Sequence, residues 1–255
     1  MASFLVSSVL ITGGNRGLGL NLIKQMLNSS GVPKHIIATC RSLKAENAQE
    51  IRRLAEKHSN IHVLEFDMTD VSEPRLTELV KQVSDIVQES GLNLLINNAG
   101  MHVKPESFEN VSPASMQKTF DVNTIAPTML TQALRPLLKR AAEANGQSGE
   151  QTSAAVINIS SVMGSIHNLN NANSLSYKVS KAALNAVTKT VGSDLAGDGI
   201  TVVSLHPGWV KTDMGGPNAH LTVEESVSCI IKFAYSLKKS HNAQFFNYDG
   251  TTLPW

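Results

Sequence analysis

The sequence has 255 residues, of which 42% are hydrophobic, and its formal net charge is +1 at pH 7. This length and apolar content predict a folded α/β domain with a sizeable core, and the balanced charge argues against a nucleic-acid partner. With two cysteines and no run near the roughly 18 apolar residues of a membrane span, we expect a soluble cytoplasmic protein that has no disulfide framework and no membrane partner.

The first predicted strand, residues 8–12, leads directly into a glycine-rich turn and an amphipathic helix over residues 20–27. Strand, glycine turn and helix in this order suit a phosphate, because glycines permit the tight turn and the helix N–H groups face the anion. The glycines alone also fit an ordinary connection with no ligand. The candidate cofactor-binding residues of this turn are Gly13, Asn15, Arg16, Gly17, Leu18 and Gly19.

The second predicted strand, residues 35–40, bears on the choice of cofactor. A dinucleotide site places its selecting residue near the end of this strand, about 20 residues after the glycine turn. Residues 39–41 contain no acidic side chain and end in Arg41. A carboxylate would bind a ribose 2′-hydroxyl and repel a 2′-phosphate, whereas Arg41 and Arg16 supply the opposite charge. The sequence therefore favours NADP(H) over NAD(H), unless both arginines are solvated loop residues.

The next elements are a polar helix over residues 44–58, a strand over 61–66, a helix over 73–89 and a strand over 92–96. Asp67, just past a strand, could accept a hydrogen bond from an adenine amino group or serve as a helix cap. The small residues of the run Asn-Asn-Ala-Gly at 97–100 suit backbone that lies against a flat ligand, although alone they indicate only a turn. The candidate cofactor-binding residues here are Asp67, Met68, Asn98, Ala99 and Gly100.

A long helix is predicted from Ser112-Pro113 to residue 138, because a capping serine before a proline is typical of a helix start. Pro127 lies inside this helix and has no N–H group, so the carbonyl of Asn123 loses its helical partner. That carbonyl could hold a buried water, or the proline could produce a kink that serves packing alone. Residues 141–153 are polar, and we expect a mobile loop there.

A strand over residues 154–159 ends at Ser160 and Ser161, and an asparagine-rich loop leads to a helix that we expect Ser174 to cap. Tyr177 and Lys181 lie one turn apart on one face of this helix. A phenol has a pKa of about 10, and a fixed ammonium group nearby would lower it. Tyr-x-x-x-Lys also occurs by chance on many solvated helices. It becomes a candidate catalytic pair here because it follows both the two serines and the glycine turn.

The last predicted elements are a strand over residues 200–205, a helix over 223–237 and a strand over 244–246. Between the first two lies a Pro-Gly turn, and His206 before it is interpreted as structural. We expect His167 to be exposed and Phe246 to belong to the core. No His, Cys or Asp spacing indicates a metal site.

The motifs above resemble the short-chain dehydrogenase/reductase family in their order and across nearly the whole chain, and the closing residues 248–255 are similar to those of its sniffer-like carbonyl reductases. The matching positions are residues 12–19, residues 97–100, Asn123, Ser161, Tyr177, Lys181, Pro207 and Gly208. The resemblance implies a Rossmann fold: one domain over residues 1–255 with a doubly wound parallel sheet of seven strands.

The resemblance also implies roles for individual residues. Tyr177 is the general acid, Ser161 hydrogen-bonds the reacting oxygen, Lys181 holds the nicotinamide ribose and lowers the pKa of the phenol, and Asn123 binds a relay water. Ser161 is preferred to Ser160 because the family's serine is the second of such a pair. The implied cofactor contacts after the sixth strand are Pro207, Gly208, Val210 and Thr212.

The function that follows is the NADPH-dependent reduction of an aldehyde or ketone, a small-molecule carbonyl substrate, to an alcohol. Two alternatives stay open: an alcohol or hydroxysteroid dehydrogenase working in the other direction, and a non-catalytic NADP(H)-binding regulator. By analogy with the family, we expect a homodimer or homotetramer.

Overall fold

Seven parallel strands form one sheet in the part of the chain that the computed structural model describes, residues 4–144 and 149–255. The strands are β1 (Ser8–Thr12), β2 (His35–Cys40), β3 (Ile61–Glu65), β4 (Leu94–Asn97), β5 (Ala154–Ile159), β6 (Ile200–His206) and β7 (Gln244–Asn247). Their order across the sheet is β3-β2-β1-β4-β5-β6-β7, so the winding reverses between β1 and β4. Ligands of such sheets bind beyond the carboxyl ends of the strands at this reversal. The predicted doubly wound parallel sheet is confirmed.

Seven α-helices of the described residues cover the two faces of this sheet. They are α1 (Gly17–Leu27), α2 (Gln49–Lys57), α3 (Glu73–Val87), α4 (Pro113–Phe120), α5 (Ala126–Ala144), α6 (Leu175–Leu195) and α7 (Val223–Tyr235). One hydrophobic core contains side chains of α1, α2 and α7, and a second contains side chains of α3, α5 and α6. None of the helices in residues 4–144 and 149–255 is long and apolar enough to cross a membrane.

The central strands are buried on both faces, and their side chains alternate between the two cores. In β1, Val9 and Ile11 pack into the core beside α1, whereas Leu10 packs into the core beside α5. Central strands covered by helices on both sides are largely apolar on both faces, which is why they appear in the sequence as nearly continuous apolar runs. Strong burial on both faces also fixes the register.

The predicted helix over residues 112–138 is divided in the structure. It consists of α4, a π-helical turn at Asp121–Ile125, and α5, which continues to Ala144. The interruption lies just before Pro127, whose missing N–H group leaves the carbonyl of Asn123, inside the π-helical turn, without its regular helical partner. The prediction that a loop begins at residue 141 is wrong, because Ala141 and Ala142 are buried against the sheet and extend the helix. Residues 145–148 of that predicted loop lie outside the described residues.

Two further predicted elements begin later in the chain than expected. The helix predicted over 44–58 begins at Gln49, after a 3₁₀ turn over Glu46–Ala48, and β4 begins at Leu94 rather than at residue 92. Boundaries of this kind depend on the packing of the ends and not on the apolar pattern.

Candidate active site

The glycine turn after β1 is packed tightly against the residues that follow β4. Gly13 has φ of +67°, and a Cβ atom added to it would lie 3.2 Å from the Cα of Ala99. A Cβ on Gly19 would overlap the carbonyl oxygen of Gly13. Asn98 donates from Nδ2 to the carbonyl of Thr12 at 2.8 Å. The turn is therefore a cradle that leaves no room for side chains at Gly13 and Gly19, which suits the close approach of backbone to a phosphate.

A second set of contacts ties this cradle to the run at 97–100. The hydroxyl of Thr12 accepts from the backbone N–H groups of Asn98 at 3.0 Å and of Ala99 at 2.9 Å. Gly100 lies close to the catalytic candidates, since a Cβ there would be 3.4 Å from Asn123 Oδ1 and 3.7 Å from Lys181 Nζ.

Tyr177, Ser161 and Lys181 converge beyond the carboxyl end of β5, and all three are buried. The Ser161 side chain lies within hydrogen-bonding reach of the Tyr177 phenol and acts to lower its pKa. Lys181 Nζ lies 5.9 Å from the centroid of the Tyr177 ring and donates to the carbonyl of Ile159 at 2.7 Å. Tyr177 and Lys181 are one turn apart on α6, so the helix sets their spacing and β5 supplies the serine.

Burial controls the protonation of both groups. It raises the pKa of Tyr177 to about 12, and the hydrogen bond with Ser161 acts in the opposite direction without overcoming it. Burial also lowers the pKa of Lys181 to about 7. The shift at Tyr177 is opposite to the lowering expected from the sequence, because the cost of removing the phenolate from water dominates.

The two adjacent serines have different surroundings. Ser160 Oγ donates to Asn185 Oδ1 at 2.7 Å inside the packing of α6, whereas Ser161 faces Tyr177 and accepts from the N–H of Met163 at 3.1 Å. Alternation along the end of the strand produces this separation. Of the two, Ser161 is the serine that the fold brings to the phenol.

Asn123 lies in the π-helical turn and links the loop after β4 to α6. Its Oδ1 accepts from the N–H of Met101 and its Nδ2 donates to the carbonyl of Met101, both at 2.9 Å. Nδ2 also donates to Ser180 Oγ at 3.0 Å. The Asn123 side chain is therefore hydrogen-bonded within the site. Its backbone carbonyl is the group that we predict to bind the water.

The segment after β6 forms the wall opposite the glycine turn. Ser226 Oγ donates to the carbonyl of Pro207 at 2.6 Å, and the Pro-Gly turn that begins there continues into the buried Val210. The Thr212 methyl would lie 3.9 Å from a Cβ on Gly17. This places the predicted contacts Pro207, Gly208, Val210 and Thr212 between β6 and the cradle.

An ion pair connects the segment after β6 to the glycine turn. Arg16 Nη1 lies 2.6 Å from Asp213 Oδ2, and the two side chains are 58% and 81% exposed. A cleft of about 620 Å³ runs along the outer side of the turn and does not include Tyr177 or Ser161. Its lining includes Asn15, Arg16, Gly17, Asn47, Thr212 and Asp213.

The remaining predicted cofactor residues lie at the ends of β2 and β3 or in α1. Arg41 is exposed directly after β2, Met68 is buried, and Leu18 packs against the core beside α1. Asp67 Oδ1 accepts from the N–H and hydroxyl of Thr69, both at 2.9 Å. Asp67 thus caps a turn and not a helix, since α3 begins later, at Glu73.

These residues fit a phosphorylated dinucleotide. Gly13, Gly17 and Gly19 carry no side chains at the start of α1, and the end of β2 carries Arg41 and no acid. The described residues contain no group of three or more side chains that could hold a metal ion.

Two residues of the loop between β4 and α4 belong to the site and were missed by sequence reasoning. The imidazole of His102 stacks on the Tyr177 ring, with 4.3 Å between centroids and 18° between planes. Burial and, to a lesser extent, Lys104 lower the pKa of His102 to about 4. Glu106 is buried and accepts hydrogen bonds from Ser176. The position of His102, two residues after Gly100, could have indicated that it lies near the site. Glu106 is an acidic residue in a polar loop, and nothing in the sequence around it indicates such a role.

The other side chains singled out from the sequence lie where packing or solvent places them. His206 is largely enclosed, which lowers its pKa to about 4, and no chemistry is indicated for it. His167 is exposed and Phe246 is buried beside Phe233, as expected. Trp209 is 47% exposed and forms the outer edge of the segment after β6.

Comparisons with known proteins place this geometry in one family. The family model described as short chain dehydrogenase matches residues 7–220. The uncharacterized oxidoreductase C663.06c of Schizosaccharomyces pombe is 31% identical over 262 residues, which cover 96% of both chains.

Solved structures agree with this assignment. The carbonyl reductase Sniffer of Drosophila melanogaster is 44% identical, with a TM-score of 0.94 over 98% of this chain and 100% of that one. The NADPH-bound carbonyl reductase from chicken fatty liver is 40% identical, with a TM-score of 0.91 over 98% of this chain and 99% of that one. The resemblance found from the motifs is confirmed, and the chain belongs to the short-chain dehydrogenase family.

Proposed function

We propose that this protein is an NADPH-dependent reductase of aldehyde and ketone carbonyls. The observation that carries the proposal is the buried group formed by Tyr177, Ser161 and Lys181 beside the glycine cradle. The similarity to two carbonyl reductases, one of them solved with NADPH, supports the same chemistry. Bound NADPH supplies the hydride that the carbonyl carbon accepts.

Tyr177 donates the proton that the developing alkoxide requires. Because burial raises the pKa of Tyr177 to about 12, the phenol keeps its proton at neutral pH and can pass it to the more basic alkoxide. In our proposal Ser161, close to this phenol, orients it and offers a second hydrogen bond to the reacting oxygen. Both groups are held out of water, which strengthens such hydrogen bonds as charge develops on the oxygen.

Lys181 and Asn123 support the proton donor. Lys181 is enclosed beneath the Tyr177 ring, and its ammonium form stabilises negative charge on the phenol after proton transfer. In our proposal it also binds the ribose next to the nicotinamide. In our proposal the Asn123 carbonyl, which lies in the π-helical turn at Asp121–Ile125, binds a water that returns a proton to Tyr177.

The choice of NADP(H) rests on the charges around the cradle. Arg41 follows β2 directly and is exposed, and no acidic residue occupies positions 39–41. A 2′-phosphate would be attracted to this end of the strand, and a free 2′-hydroxyl would find no carboxylate. Arg16 is already paired with Asp213, so Arg41 is the principal candidate.

The decisive experiment is the substitution Tyr177→Phe. We expect the rate of carbonyl reduction to fall about 10²- to 10⁴-fold, because the acid is lost while the ring remains. NADPH oxidation with quinones, dicarbonyls and lipid aldehydes measures the rate, and fluorescence titration measures NADPH binding, which should not change. Full turnover in this variant would refute the assignment of Tyr177.

Association into a homodimer or homotetramer in the cytoplasm belongs to the same proposal. By analogy with the family, we expect the subunits to meet through the helices that carry Asn123 and Tyr177. Ile125, in the π-helical turn that contains Asn123, is 40% exposed. Light scattering on the purified protein measures the mass of the assembly directly.

A further inference from the structure

A carboxylate from a loop takes part in starting the helix that carries Tyr177. Glu106 lies between β4 and α4, in a loop with exposed neighbours, yet is only 8% exposed itself. Its oxygens accept from the N–H of Ser176 at 2.7 Å, from the hydroxyl of Ser176 at 2.7 Å, and from the hydroxyl of Ser115 at 2.9 Å. Burial acts to raise the pKa of this carboxyl, but the hydrogen bonds more than offset it and the pKa lies below its ordinary value.

The start of α6 depends on this loop. Ser174, which we expected to cap the helix, has φ of +59° and its side chain makes no capping hydrogen bond. The backbone N–H of Ser174 instead donates to the carbonyl of Glu106 at 3.0 Å. The Glu106 carboxylate occupies the position that a capping side chain would take, and a negative charge there also complements the helix dipole.

The same carboxylate connects two helices. Ser115 belongs to the capping box of α4, in which Ser112 Oγ accepts from the N–H of Ser115 at 3.1 Å. Glu106 thus fixes the beginning of α4, which leads to Asn123, and the beginning of α6, which carries Tyr177. Asn123 and α6 meet again through Ser180.

The loop also contacts the phenol ring. His102, four residues before Glu106, stacks on Tyr177. Glu106 binds Ser176, and the next residue in the chain is Tyr177. If the first turn of α6 loosened, both the backbone and the ring of the proton donor would shift. A displacement of about 1 Å at a reacting group is enough to lower a rate about 10²-fold.

We propose that Glu106 is a positioning residue for Tyr177: it fixes the first turn of α6 so that the phenol meets Ser161. This inference rests on the proposed reductase function for its kinetic consequence, but the placement of Tyr177 can be measured without any turnover.

The kinetic test compares Glu106→Ala and Glu106→Gln with Glu225→Ala. Glu225 is a matched control, because its carboxylate also caps a helix, α7, by accepting from the N–H and hydroxyl of Thr222, both at 2.9 Å. We expect Glu106→Ala to lower kcat about 10- to 100-fold with the KM for NADPH changed less than about twofold. Glu106→Gln should be intermediate, since its amide nitrogen cannot accept from Ser176. Glu225→Ala should keep the wild-type kcat even where it lowers the unfolding temperature.

A wild-type kcat in a folded Glu106→Ala protein would overturn the proposal. An equal loss of kcat in Glu225→Ala would overturn it too, because the effect would then follow general stability. If Glu106→Ala does not fold, Glu106→Gln decides by the same comparison.

The second measurement does not use catalysis. The chain has three tyrosines, so Tyr235→Phe with Tyr248→Phe leaves Tyr177 as the only phenol. In this parent protein, burial raises the pKa of Tyr177 to about 12, so its ultraviolet spectrum should show little phenolate at pH near 10.5. Adding Glu106→Ala should expose the ring and produce phenolate at that pH, whereas adding Glu225→Ala should not.

The two readouts separate the two proposals. If the protein reduces no carbonyl but the Tyr177 titration responds to Glu106→Ala, the reductase function fails and the positioning role stands. If reduction is observed and neither kcat nor the titration responds, the positioning role fails and the function stands.

Discussion

At Tyr177 and Lys181 the deciding quantity is the free energy of removing charge from water. In solvent, a phenolate and an ammonium group one turn apart would stabilise each other. Here both groups are enclosed, and the pKa of each shifts in the direction that favours its neutral form. The phenol is therefore a stable proton donor, and Lys181, with a pKa of about 7, changes its charge near neutral pH. Perturbed groups of this kind cluster at functional sites.

The shifted Lys181 predicts a pH dependence of stability. Its pKa falls from 10.5 in the unfolded chain to about 7 in the folded protein. Between these values the unfolded state binds more protons, so the free energy of unfolding should increase with pH, by up to about 1.4 kcal/mol per pH unit. Urea unfolding of the cofactor-free protein at pH 8 and pH 9 measures this increase.

Lys181→Met is the control for this prediction, because it keeps an apolar chain of similar length and removes the titrating group. The difference in unfolding free energy between wild type and variant should grow by about 1 kcal/mol between the two pH values. A constant difference would mean that Lys181 titrates normally in the folded protein.

At the scale of elements, the cofactor cradle is made by the ends of four strands. β1 supplies the glycine turn, β2 ends beside Arg41, β4 supplies Asn98 and Ala99, and β6 leads to Thr212. The Arg16–Asp213 ion pair joins the first and last of these ends. Because that ion pair is well exposed, it adds little to the stability of the fold. Its main effect is to pair the Arg16 guanidinium with a carboxylate of the protein.

This arrangement predicts unequal effects of the two arginines. Arg41→Ala should raise the KM for NADPH about 10- to 100-fold, because a charge-assisted hydrogen bond to a 2′-phosphate is lost, and should leave the KM for NADH nearly unchanged. Arg16→Ala should have a smaller effect on NADPH. Initial-rate kinetics with both cofactors measure these changes, and equal losses for NADH and NADPH would show that Arg41 does not read the phosphate.

At the scale of the whole molecule, the glycine turn and Tyr177 are parts of one sheet and its covering helices. The order β3-β2-β1-β4-β5-β6-β7 puts the cradle of β1 next to β4 and places β5, with Ser161, one strand further along. A ligand that spans these strands should therefore stabilise the whole fold and not only one loop.

Thermal unfolding measures that stabilisation. At a concentration about 100 times its Kd, NADPH should add about 2.7 kcal/mol and raise the Tm by about 5 to 10 °C. Gly19→Ala should remove the increase, because its Cβ overlaps the carbonyl oxygen of Gly13, whereas Gly31→Ala, with open space around it, should retain it. An equal increase with NADH would contradict the preference for NADPH.

What the sequence by itself determined is local. The seven strands, the glycine turn, the Tyr-x-x-x-Lys spacing and the interruption near Pro127 follow from residues close together in the chain, whose periodicity, backbone freedom and missing N–H groups act wherever they occur. The family resemblance rests on the same local motifs, and for this reason the amino-acid sequence is sufficient to recognise it.

Only the tertiary structure decided the contacts between distant residues and the burial of charges. Glu106 and Ser176 are 70 positions apart, and Arg16 and Asp213 are 197 apart, so no local pattern indicates that either pair meets. Ser174 was expected to cap α6, but the loop delivers Glu106 instead. The pKa of Tyr177 likewise depends on how much water the folded chain excludes from the phenol, which is a property of the packed molecule and not of the motif.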